Sequence, residues 1–74
     1  MNKLRDKKLL LIFGDNLRKL RKRNNMSLES LAYEADMELS QIFRIEKGII
    51  NPTLTTLNAL AKALNISLEN LLKF

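Results

Sequence analysis

The sequence predicts an all-α fold, a compact bundle of five short helices in one domain spanning residues 1–74. Two observations predict it. Apolar residues recur at spacings of three and four along five stretches, with no alternating strand pattern between them. The connections are short and carry helix-capping or helix-ending residues. Residues 1–8 mix charge with Leu4, and the first few are expected to fray. The first helix is expected from about Leu9 to Arg23, with Ile12, Phe13, Leu17 and Leu20 on one face. Gly14 inside it costs some helix propensity and permits close approach of a neighbour. Asn24 and Asn25 end it, because asparagine tolerates left-handed backbone.

The next two elements form the centre of the chain. Ser27 is placed to cap a helix from Leu28 to Ala35, with Leu28, Leu31, Ala32 and Ala35 on one face. The turn at Asp36, Met37 and Glu38 follows, and Glu38 is expected to cap a helix from Leu39 to about Lys47. Ile42 and Ile45 point that helix inward, and Gly48 ends it. Ser40, Gln41, Arg44 and Lys47 remain outside, side chains that hydrogen-bond base edges and phosphates. This is the sequence form of a helix-turn-helix whose second helix enters a major groove. An ordinary helical hairpin with a polar outer face shares the pattern. Beyond the loop from Ile49 to Pro52, Thr53 caps a helix from Leu54 to Leu64, striped by Leu54, Leu57, Leu60, Ala61 and Leu64. Ser67 caps a last helix from Leu68 to about Lys73.

Composition excludes several chemistries. The chain has neither cysteine nor histidine, which rules out disulfides, thiolate catalysis, zinc-finger sites and histidine acid–base work. No nucleophile–base pair, glycine loop or metal cluster is evident, so neither an enzyme nor a cofactor is expected. The lone Tyr33 reads as a helix-packing residue. No apolar run approaches a membrane span, and a soluble, cytoplasmic, nucleoid-associated protein is expected. The net charge of +5 suits a polyanionic partner. Arg18, Lys19, Arg21, Lys22 and Arg23 read equally as a helix end beside phosphates or as a solvated basic terminus.

Five segments carry a resemblance: Asn16 to Arg23, Ser27 to Ala32, Ile42 to Gly48, Asn51 to Leu57 and Leu60 to Ser67. In order and spacing, over about Phe13 to Leu72, they resemble the Cro/CI-type (xenobiotic-response-element) helix-turn-helix family, with its lambda-repressor-like fold. The absence of a further domain resembles small stand-alone members such as phage Cro-like proteins, restriction–modification controller proteins and antitoxins. The resemblance implies a structural ion pair between Arg21 and Glu46, with Arg21 also near phosphate. It implies base reading by Leu39, Ser40, Gln41 and Arg44, and phosphate contact by Ser27, Leu28, Lys47 and Asn51. It also implies a homodimer through the last helices, for which Leu68, Leu71, Leu72 and Phe74 are the candidates.

Departures from the family pattern bear on affinity rather than fold. Leu28 stands where a phosphate-anchoring Gln is common, and Asp36 replaces a turn glycine. Glu38 would repel phosphate unless it accepts from a cytosine amino group. Ile49 and Ile50 make a usually basic loop apolar, and pack against the last helices or a dimer partner. Phe43 is large for its site and is expected against the helix pair, with a thymine-methyl contact as the alternative. The reading is a sequence-specific regulator binding a palindromic double-stranded operator as a homodimer. The alternative is an antitoxin-type module whose main partner is a toxin protein.

Overall fold

The computed structural model describes residues 6–74, so the expected fraying of the first few residues lies largely outside it. Five helices follow one another: α1 (Lys7–Arg23), α2 (Leu28–Ala35), α3 (Leu39–Glu46), α4 (Leu54–Ala63) and α5 (Leu68–Leu71). The start of α1 lies two residues before the expected one, because the Asp6 carboxylate accepts from the Leu9 amide at 3.0 Å and caps it. Ser27, Thr53 and Ser67 cap α2, α4 and α5 through their hydroxyls, as expected. Glu38 occupies the α3 cap position without a side-chain hydrogen bond, so its carboxylate acts there only through its charge. The expected tail of α5 is absent, since the helix stops at Leu71.

Four helix ends share one device. A left-handed residue follows each of α1 to α4: Asn25, Asp36, Gly48 and Asn65, with φ between 55° and 75°. The amide beyond each reaches back to a carbonyl of the last turn, Met26 to Arg21, Met37 to Ala32, Ile49 to Arg44 and Ile66 to Ala61. Asparagine and aspartate tolerate this backbone at modest cost. Gly48 has a second reason to be glycine. A Cβ there would come within 3.0 Å of the Leu11 backbone.

The core unites Phe13 and Leu17 of α1, Leu31, Ala32 and Ala35 of α2, Ile42 and Ile45 of α3, Leu60 and Ala61 of α4, then Leu64 and Leu71. α1 packs on α3, α2 packs on both α3 and α4, and α4 packs on α5. Two members of the expected stripes are exposed rather than packed on it. Ile12 is exposed, and Leu10 takes its place beside Phe13, because residues 10, 13, 14, 17 and 21 share the buried side of α1. Leu54, at the first position of α4, is also exposed.

Gly14 makes the α1–α3 approach possible. A Cβ on it would press into the carbonyl oxygens of Ile45, at 2.5 Å, and Glu46. One end of the same crossing is fixed by Arg21. Its Nε donates to Glu46 Oε2 at 2.7 Å and one terminal nitrogen to Oε1 at 3.1 Å, a bidentate pair. The other terminal nitrogen donates to the Met26 carbonyl at 3.0 Å. One guanidinium therefore joins α1, the α1–α2 turn and the end of α3. Both side chains are about nine-tenths buried. The carboxylate raises the Arg21 pKa above that of an ordinary arginine, and burial opposes it. Stability gained this way is lost only as pH rises through that raised value, so the pair is indifferent to neutral and acidic pH on the arginine side.

Gly14→Ala separates two opposed effects. Helix propensity alone favours alanine by about 1 kcal/mol. Overpacking against rigid backbone costs about 1–3 kcal/mol or more, and we expect net destabilisation in urea unfolding. A stabilised variant would show that α1 and α3 do not approach at this point. For the ion pair, Arg21→Met and Glu46→Gln should each destabilise by about 3–5 kcal/mol, with the double variant losing much less than the sum. Additive losses in that cycle would mean the two side chains do not interact.

Candidate nucleic-acid interface

Successive residues of α3 turn by about 100°. With Ile42 and Ile45 fully buried, the direction facing outward is the line through Ser40 and Lys47. Arg44 flanks that line on one side and Phe43 on the other, at equal angles. Gln41 and Leu39 lie at the margins. The structure follows this wheel: Ser40, Arg44, Lys47, Leu39 and Phe43 are exposed and Gln41 is half-buried. Of the four expected base readers, Ser40 and Arg44 share the outward face, whereas Leu39 and Gln41 lie at its opposite margins. Among the described residues no carboxylate lies within ion-pair reach of Arg44, so its guanidinium is available to a ligand.

Phe43 is where expectation and structure part. It does not pack into the helix pair: it is 45% exposed and outside the core cluster. The Lys47 ammonium lies 5.5 Å from its ring centroid, within cation–π range. Its aromatic character suggested burial, but its position between two outward residues was legible in the helical period. Tyr33 fails in the same way. It is 83% exposed on the outer side of α2, not packed between helices. It borders an open notch at the turn with Asp36, Met37, Glu38 and Gln41.

The expected phosphate contacts divide. Ser27 is exposed at the start of α2, and its hydroxyl accepts from the Ser30 amide at 3.0 Å. The amides of Leu28 and Glu29, at the first two helical positions, then lack an intrahelical acceptor. The Leu28 side chain packs against the core, so only its backbone can serve. Lys47 sits at the outer edge of α3. Asn51 is not in this row. It borders a cleft with Leu9, Pro52, Leu72 and Phe74. Arg21 leaves the phosphate set: buried, with Nε and both terminal nitrogens already donating, it is structural.

The basic cluster at the end of α1 is also partly neutralised. Arg18 and Lys19 reach the Asp15 carboxylate at 2.7 and 3.1 Å. Their hydrogen bonds hold the Asp15 carboxyl below its ordinary value of 3.8. That contribution is complete above the ordinary value and is lost as pH falls through the depressed one. Among the described residues, Lys22 and Arg23 have no such acidic partner.

The expected dimer residues need one correction. Leu71 has no exposed surface and belongs to the core, so it cannot meet a partner. Leu68 is half-buried against that core. Leu72 and Phe74 are exposed, and the Phe74 ring sits edge-on to Phe13 with centroids 5.9 Å apart. The cleft they share with Leu9 holds about 120 Å³, smaller than the roughly 300 Å³ of small-molecule sites. No helix among the described residues is long and apolar enough to cross a membrane.

Comparison with known proteins matches this architecture. The control protein C.BamHI of Bacillus amyloliquefaciens is 38% identical over 65 residues, 86% of this chain and 80% of that protein. The control protein C.SmaI of Serratia marcescens is 43% identical over 61 residues, 82% of this chain and 73% of that protein. Among solved structures, the restriction-modification controller protein C.AhdI of Aeromonas hydrophila superposes with a TM-score of 0.82 at 35% identity, over 84% of this chain and 94% of that one. Residues 17–71 match the sequence family described as helix-turn-helix. With α2 and α3 forming that motif on a core that leaves the outer side of α3 open, this chain belongs to the helix-turn-helix family.

Proposed function

We propose that the protein is a sequence-specific transcriptional regulator that binds a palindromic operator as a homodimer, with α3 in the major groove. The observation that carries it is the outer face of α3, where Ser40, Arg44 and Lys47 project from a helix pinned at its far end by Arg21 and Glu46. Arg44 is the guanine reader, since a guanidinium matches O6 and N7 bidentately. Ser40 and Gln41 read adjacent edges, and Leu39 makes apolar contact. The α2 amides and Lys47 hold phosphates. Lys22 and Arg23, rather than the whole basic cluster, add the long-range attraction. Similarity to restriction-modification controller proteins makes genes of such a system the expected targets. The toxin-partner reading finds no support in these relatives.

The dimer rests on the apolar surface left outside the core, Leu72 and Phe74 with Leu9 beside them. Two copies joined there would present two α3 helices to half-sites about 34 Å apart.

Selection of bound duplexes from a random pool at physiological salt should recover an inverted repeat. Arg44→Ala should then lose about 1–3 kcal/mol at one base pair of each half-site. Uniform weakening on every sequence would assign Arg44 to phosphate instead. Light scattering at micromolar concentration should give a dimer. Leu72→Lys should shift it to monomer while the circular dichroism stays helical. A dimer that survives this change lies on another face.

A further inference from the structure

The outer face of α3 carries an apolar component that hydrogen-bond readout does not use. Leu39 and Phe43 lie one turn apart, 42% and 45% exposed, on the flank opposite Arg44. Such a pair on a solvated helix is normally polar, because exposing a phenyl ring to water gains nothing. The ring also has a cation beside it: the Lys47 ammonium lies 5.5 Å from its centroid, and residue 47 sits on the outermost line. The apolar pair thus adjoins the row proposed to meet the DNA, with a cation at its edge to follow the phosphates.

We propose that Phe43, with Leu39, is a second specificity element that recognises the C5-methyl group of a pyrimidine in the major groove. This rests on the proposed docking of α3. The major groove offers one apolar group, the methyl on C5 of thymine, and 5-methylcytosine carries it at the same position. Arg44 and Phe43 lie about 100° apart around the helix, so the guanine read by one and the methyl read by the other belong to different base pairs. The half-site is then specified by a hydrogen-bonded position and a methyl position.

The test uses the duplex recovered by selection. Each thymine is replaced singly by deoxyuridine, which removes the methyl and keeps every hydrogen-bonding group. In parallel, each cytosine is replaced by 5-methylcytosine. Burying one methyl is worth about a four-fold change in affinity. For the wild type, deoxyuridine should weaken binding about four-fold at one or two positions per half-site, with thymine then the source. A gain of similar size on 5-methylcytosine, without a deoxyuridine effect, would support the same site with methylcytosine as the source. Phe43→Ala should abolish the methyl effect, whereas Arg44→Ala should keep it. Phe43 lies outside the core, so its variant should fold, and thermal unfolding checks this. Equal binding to every methyl variant overturns the proposal while the operator reading stands. The same methyl sensitivity in Phe43→Ala as in the wild type also overturns it. Failure to bind any duplex overturns both.

Discussion

A carboxylate and a guanidinium removed from water at the end of α3 set the geometry of everything outside them. Burying two charges is expensive, and a well-packed apolar pair often stabilises a fold as much or more. The ion pair between Arg21 and Glu46 therefore needs a reason beyond stability. Its geometry supplies one. A bidentate pair is planar and directional, and a third donor from the same group grips the Met26 carbonyl. Apolar contacts resist separation but permit sliding. The guanidinium fixes the end of α3 against both α1 and the turn entering α2. A helix that must put side chains on base edges benefits from that restraint.

The restraint works only because backbone meets backbone beside it. Gly14 lies against the carbonyls of Ile45 and Glu46, and Gly48 lies against Leu11. Without side chains at those two points, α1 settles close enough for Arg21 to reach Glu46. The left-handed residue at Gly48 then turns the chain away from the recognition helix. The other three helix ends use Asn25, Asp36 and Asn65, whose side chains have room. Glycine appears where a neighbour is close, and asparagine or aspartate suffices where only the backbone angle matters.

Sequence reading recovered what local chemistry encodes. The bounds of α2 follow from the Ser27 cap and the left-handed Asp36, and the core positions Leu31, Ile42 and Ile45 follow from the helical period. The differences have separate causes. The aromatic character of Tyr33 and Phe43 points to packing, whereas the period of α2 and α3 places both outside. Leu71 and Leu72 are chemically equivalent neighbours, and only the docking of α5 on α4 decides which is buried. The early start of α1 depended on one carboxylate, Asp6, amid other charges. The Arg21–Glu46 pair, 25 residues apart in sequence, rested on the family resemblance. No local pattern links the two, and whether two distant charges meet is a property of the crossing between helices.

The domain's small size connects its core to its proposed mode of action. Its core holds part of the apolar surface, and Leu9, Leu72 and Phe74 stay exposed on a rim made by α1 and the C-terminal end. That rim is separate from the outer face of α3, so covering it with a second copy leaves the reading face free. Association through the rim would hide apolar surface that one subunit cannot, and would link two reading faces. A single α3 offers few base contacts, enough for weak discrimination. Two joined faces bind as one unit, so the second half-site is engaged at high effective concentration. Occupancy of a two-fold operator would then rise steeply with protein concentration across the monomer–dimer range. The response would sharpen without any ligand, effector pocket or second domain.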